Sequence, residues 1–367
     1  QLCFLDDCLD RACTHAGYDG CMTSTARRRW SRELDTEVSG IAFSPEGPVL
    51  VHGFDPPAGG KWLDDVIPGK LAALDRNSGE PQWIAPCEVG YGRGFAAGFG
   101  ALGQALVLGP STHGHRMVRM SLEDGELLEG SDIPSFDESI VARDVCHCAS
   151  AQRVFALDSL SLKETWEYAR EGERYHGLAR SGDCVYVSVT QVSGRAGSDD
   201  PQGVIILNAS TGEYVGYLLR PCLPTIHGLC ATGGLVTVFT EQIESVIGPE
   251  RMGEYAVALG DHPGGGNRDT LSMLALREDG SSGGSPQWFR ILETAPVGDI
   301  PEVSVSSDNG KLYVERGALL EALDALSGRP LGDWTVPGLD MKISWTVAAG
   351  AGLLAEETRV SLFELPA

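Results

Sequence analysis

A short unit recurs along the chain, and each copy joins a strand, a tight turn and a second strand. It reads Lys70-Leu71-Ala72-Ala73-Leu74-Asp75-Arg76-Asn77-Ser78-Gly79-Glu80-Pro81-Gln82-Trp83, and again Arg153-Val154-Phe155-Ala156-Leu157-Asp158 on to Glu164-Thr165-Trp166. Further copies are Val204 to Glu213 and Leu320 to Trp334, with weaker ones at Met117 to Glu126 and Leu271 to Leu276 followed by Gln287-Trp288. Asp or Asn stops the first strand, and Gly accepts the positive φ that a hairpin turn requires. The turn position falls at Gly79, Gly125, Leu162, Gly212, Gly284 and Gly328. With one insertion set aside, that spacing of roughly 40–50 residues is the period of propeller blades.

A second element lies between the hairpins: a strand of small, weakly polar residues, a turn, and a strongly β-forming strand. Examples are Gly40 to Ser44 leading to Val49-Leu50-Val51, Gly177-Leu178-Ala179 leading to Val185-Tyr186-Val187, and Val303-Ser304-Val305 leading to Leu312-Tyr313-Val314. Together the two elements give four strands per unit. The ends supply one more blade: Met341 to Leu365 provides three strands and Arg29 to Leu34 the fourth. The sequence therefore predicts an all-β propeller over residues 29–367, with seven four-stranded blades (eight is the alternative count) closed by pairing of the N- and C-terminal strands.

Leu74-Asp75…Gly79…Trp83 and Leu323-Asp324…Gly328…Trp334 resemble the repeats of the quinoprotein-like, or pyrroloquinoline-quinone-repeat-like, β-propeller superfamily. The resemblance covers roughly residues 29–367 and implies a fold, because many members bind no quinone. Its quinone-dependent alcohol dehydrogenases are longer and hold the cofactor beneath a disulfide between adjacent cysteines. No adjacent cysteines occur here, so the expectation is against quinone as a cofactor.

Ten cysteines stand at positions 3, 8, 13, 21, 87, 146, 148, 184, 222 and 230. Cys3, Cys8, Cys13 and Cys21 crowd into the first 21 residues among Asp6, Asp7, Asp10 and Asp19, in an N-terminal segment (residues 1–28) with little to fold around, and two local disulfides are expected there; a zinc site of these four is the rival. Cys87, Cys146, Cys148, Cys184, Cys222 and Cys230 are expected to form three further disulfides. A disulfide-rich chain belongs to an oxidising compartment, so the expected location is exported: periplasmic, cell-surface or secreted. Gln1 in place of Met fits a removed signal peptide or a lipoprotein leader, and no apolar run is long enough to span a bilayer. A formal charge of −23 disfavours nucleic acid and anionic lipid as partners.

The residue just before each inner strand should point to one rim of the central channel: Ser39, Arg93, Glu138, His176, His227, Glu302 and Lys342. His176 and His227, each followed by Gly-Leu, occupy equivalent places in adjacent units. They are the candidates for a divalent metal site, or for a general base with Glu138 or Glu302. The alternative is that both are satisfied channel-lining groups. His113-Gly114-His115 and Cys146-His147-Cys148 are lesser candidates for a surface metal site and a redox pair. Polar, Gly-rich insertions at 194–200 and 241–269 can cover a channel mouth or present a partner surface. The short motifs of hydrolases, zinc proteases, phosphate-binding loops and haem attachment are all missing from the sequence. The expectation is a non-catalytic, extracytoplasmic binding or assembly scaffold that takes a protein partner or small ligand on one propeller face. A metal-binding protein or enzyme centred on the channel is the alternative, and a quinone oxidoreductase a lesser one.

Overall fold

The structure, a computed structural model, describes residues 24–44, 47–55, 69–90, 95–112, 114–192, 200–260, 268–280, 284–296 and 303–365. Seven antiparallel sheets form as seven blades. Blade 1 contains Glu37–Phe43, Val49–Phe54, Gly69–Leu74 and Pro81–Cys87; blade 2 runs from Ala96–Phe99 to Leu127–Ile133, and blade 3 from Glu138–Val141 to Glu164–Tyr168. Blade 4 runs from Glu173–Ser181 to Tyr214–Leu223, blade 5 from Ile226–Thr232 to Trp288–Pro296, and blade 6 from Val303–Asp308 to Pro330–Thr335. Blade 7 joins Ser344–Ala348, Ala351–Ala355 and Arg359–Glu364 to Arg27–Glu33, which pairs antiparallel on Arg359–Glu364 and closes the ring. The first strands of successive blades contact one another all the way round, so they line the axis.

Continuous apolar runs follow from this arrangement, because a middle strand has a neighbouring blade on each face. In Val49–Phe54, which is buried throughout, Val49 and Val51 pack toward blade 7 while Leu50 packs toward blade 2. The core is accordingly seven clusters, each shared by two adjacent blades, the last joining blade 7 to blade 1.

The recurring Trp and Gly have one shared job. Trp30, Trp83, Trp166 and Trp288 each leave the outer strand of one blade and lie against the hairpin turn of the next, at Gly79, Gly125, Gly212 and Gly328. Each indole N–H donates to a carbonyl of that turn, at 2.8 Å to Arg76, 2.9 Å to Leu122, and 3.0 Å to Ala209 and Ala325. A Cβ at Gly212 would lie 2.5 Å from Trp166, and φ there is +71°, so glycine is required twice over. Blade 3 departs consistently. The outer strand of blade 2 has no Trp, and the facing turn position is Leu162, which fills the gap at φ 55°.

Two features were not foreseen. Ser24–Thr25 pairs parallel with Trp334 and Thr335, adding a fifth strand to blade 6 before the chain crosses to blade 7. The blade 5 insertion contains a helix, Met252–Gly260, anchored by buried Tyr255, whose ring meets Phe289. No described helix is long and apolar enough to cross a membrane.

Candidate functional site

Each inner strand starts on the face where second strands end and third strands begin; Ser39, His176 and His227 lie among the first residues of these strands rather than just before them, and Lys342 precedes its strand by two residues. Arg93 and Glu302 lie outside the described residues, as do Cys3, Cys8, Cys13, Cys21 and His113. Glu138 is exposed at the start of its strand. Lys342 reaches back to blade 6, where its Nζ pairs with Glu315 at 2.6 Å; that carboxylate is buried and also accepts from the hydroxyls of Ser304 and Ser306.

His176 and His227 are equivalent in sequence but differ in ladder register. In blade 4 the bulge falls after His176, leaving Gly177 unpaired, whereas in blade 5 the bulge is His227 itself. A bulge re-aims its side chain, so the two imidazoles reach different partners. His176 Nε2–H donates to Gln202 Oε1 at 3.0 Å, and the same oxygen accepts from Ile226 N–H at 2.6 Å, which ties blade 4 to blade 5. His227 Nε2–H donates to Glu241 at 2.8 Å within its own blade. Among the described residues, no three His, Cys, Asp or Glu side chains gather in a metal-holding arrangement. Gln202 and Glu241 escaped sequence reading because Gln202 opens the third strand of its blade and Glu241 ends the second of its own, both away from the inner-strand starts that marked the histidines.

His52 was also missed, although a histidine inside Val-Leu-Val-His-Gly-Phe is the one titratable group in a wholly buried strand. Its Nδ1 is 2.5 Å from Ser39 Oγ and its Nε2 is 2.9 Å from the Val89 carbonyl. Burial pushes the imidazole down to about 4, against the smaller upward pull of that carbonyl. His147 is similarly buried, with Nε2–H donating to the Ala209 carbonyl that also accepts from Trp166.

The six cysteines from Cys87 onward carry free thiols rather than the three disulfides expected. They are spread over four blades, and Cys146 and Cys148 face the apolar side chains of blade 2. Burial pushes the Cys87 thiol up to about 11 and Cys146 up to about 12, and raises Cys148 well above its ordinary value. Burial of this kind favours the protonated thiol over the thiolate that redox exchange needs.

Two surface clefts, of 500 and 430 Å³, lie at Leu102, Gln104 and Glu123 and at Arg29, Asp75 and Gln82. Both are beside first-to-second or third-to-fourth strand turns, on the face opposite the rim.

No family model matches the chain, and no curated protein matches it. Among solved structures, the crystal structure of BamB from Moraxella catarrhalis aligns over 93% of this chain and 100% of its own, at 12% identity and a TM-score of 0.45. A likeness of that depth says nothing about function.

Proposed function

We propose that the protein is a binding or assembly scaffold that works without turnover, taking its partner on the propeller face at which the inner strands begin. The observation that carries this reading is the placement of the long insertions. The two longest connections between second and third strands leave from Val49–Phe54 and Leu235–Glu241 and return at Gly69–Leu74 and Arg268–Arg277, strand ends that all lie on the rim face. The opposite face is built mainly of tight turns. A rigid ring that gathers its long connections on one side is how a repeat scaffold builds a recognition surface.

Exposed apolar side chains are available on that side, as Leu102, Leu160 and Leu326 are on the other, so the choice of face rests on the long connections. Met252 and Val257 of the insertion helix are 39% and 68% exposed, and Met341 and Ile343 in the link from blade 6 to blade 7 are 64% and 49% exposed. The chain as a whole is strongly acidic, so the partner surface would be apolar at its centre and neutral or basic at its rim. An exported location belongs to the same proposal and now leans on Cys3, Cys8, Cys13 and Cys21 alone.

Site-specific photocrosslinking in the producing cell tests the face. A photoreactive residue at Val257 or Met341 is expected to give a discrete protein adduct, whereas one at Leu160 or Leu326, in turns of the opposite face, gives none. Adducts from the second pair alone, or from neither, would overturn the assignment.

A further inference from the structure

We propose that Ser39 is a nucleophilic serine activated by His52, able to accept the acyl group of a small uncharged carboxylic ester at the channel end of blade 1. Hydrogen-bond accounting fixes the roles. The Val89 carbonyl cannot donate, so Nε2 of His52 carries the ring proton and gives it to that carbonyl at 2.9 Å. Nδ1 is then a bare lone pair, and the Ser39 hydroxyl, 2.5 Å from it and 3.4 Å from the His52 carbonyl, donates to Nδ1 as the nearer acceptor. The oxygen is left with its lone pairs unblocked and its proton aimed at an imidazole that burial keeps weakly basic, so the activation comes from position rather than base strength. Nucleophile, base and a third group orienting the base is the general arrangement of an activated hydroxyl.

The surroundings hold this geometry. A side chain at Gly69 would place Cβ 2.3 Å from His52 Nε2 and 2.2 Å from the Val89 oxygen, so the backbone approaches closely to seat the imidazole. Phe95 stacks on the ring with centroids 4.3 Å apart and covers Gly40, where a Cβ would fall 2.2 Å from it. Ser39 itself is half-buried, at the bulge between Val38 and Gly40 on the innermost strand. Packing does not demand a histidine there. Gly40 faces His52 in the ladder of blade 1, and the corresponding Gly228 of blade 5 faces Phe239. Phe95 gives the acyl group an apolar wall, and this is why an uncharged ester is the substrate class.

In the step itself, Oγ attacks the ester carbonyl and the Oγ–C bond forms while Nδ1 takes the hydroxyl proton. The C–O bond to the alcohol then breaks, and the departing alkoxide recovers that proton from Nδ1. The products are acylated Ser39 and the free alcohol, and no cofactor or redox partner is needed.

An alkyl fluorophosphonate tests the nucleophile on the full chain: the Oγ–P bond forms, the P–F bond breaks, and fluoride and the proton leave to the buffer. Peptide mass spectrometry is expected to find the adduct on Ser39, formed about 100-fold faster than on the same chain unfolded in urea. Ser39→Ala removes it, and His52→Gln slows it by about tenfold or more. The idea is overturned if Ser39 stays unlabelled, if it reacts no faster than in the unfolded chain, or if folded His52→Gln reacts at the native rate. Should His52→Gln fail to fold, the comparison of native chain, urea-unfolded chain and Ser39→Ala decides alone. Failure would leave the scaffold reading intact, since that is read from adducts at Val257 and Met341.

Discussion

Four hairpin turns solve one problem with one atom. Asp75 Oδ1 accepts from the N–H groups of Asn77 and Ser78 and from the Ser78 hydroxyl; Asp158 and Asp324 repeat the pattern with Ser161 and Ser327. Asn208 does the same with Ser210 and Thr211, uncharged. These bonds hold the Asp75, Asp158 and Asp324 carboxyls below their ordinary values, through the serine hydroxyl first at Asp75 and Asp324 and the Ser161 N–H first at Asp158. A carboxyl depressed in the folded state stabilises above its unfolded value, near 4, and that contribution is lost as pH falls through the folded value. His52, lowered from 6.5 to about 4, stabilises fully above 6.5 and loses its contribution as pH falls toward 4, with His147 acting in the same direction. Thermal melts across pH should therefore show two acid windows. Asp75→Asn, Asp158→Asn and Asp324→Asn together should flatten the one below pH 4 and leave the one between 6.5 and 4 in place; an unchanged slope below pH 4 would show that the turns do not titrate as argued. Thiols give a second check at this scale. Alkylation in denaturant without reductant should modify Cys87, Cys146, Cys148, Cys184, Cys222 and Cys230, while in the native state Cys222, the exposed one, reacts first.

Between elements, the unit of cohesion is the Trp of one blade seated on the Gly turn of the next. Gly212 and Gly350 separate the two parts of that requirement, since their φ values are +71° and +70° but a Cβ at Gly350 meets nothing within 4 Å. Gly350→Ala should cost about 1 kcal/mol for the left-handed backbone alone, and Gly212→Ala should cost that plus the displacement of Trp166, about 2–4 kcal/mol in all. Equal losses in denaturant melts would mean that the Trp seat carries no energy. The hairpins were legible in the sequence because Gly and Trp recur at short spacing within each of them, but the seat of Trp30 on Gly79 or of Trp166 on Gly212 joins different blades and was not. Leu162 could be aligned with the glycines, but the reason for it lies in blade 2, which lacks the Trp. The bulge positions were not legible: whether His176 or its neighbour Gly177 leaves the ladder is decided by the cross-strand register with Cys184–Gln191, which no repeat alignment contains. The same holds for His52, whose partners Ser39 and Val89 are brought to it only by the folded blade. The insertion helix was hidden for a different reason, since its single buried turn around Tyr255 is too short to impose a period on the sequence.

For the whole molecule, ring closure decides whether seven blades behave as one unit. A propeller cut between blades would expose two apolar faces and the unpaired edge of Arg359–Glu364, whereas here Arg27–Glu33 pairs with that edge and Trp30 crosses to the turn at Gly79. Ser24–Thr25 adds a bond to blade 6, so a single N-terminal segment touches blades 6, 7 and 1 in turn. Removing residues 1–23 should leave a cooperative, monomeric ring, because every contact just described survives. Removing residues 1–34 should lower the melting temperature, broaden the transition and favour association through the bare edge. A synthetic peptide of residues 24–34 should then reverse all three by occupying the vacated strand, with the gain rising with peptide concentration as linkage requires. Light scattering and calorimetry read each outcome. If the longer truncation melted as sharply as the full chain, closure would not be what holds the blades together, and the inner-strand contacts around the axis would have to suffice.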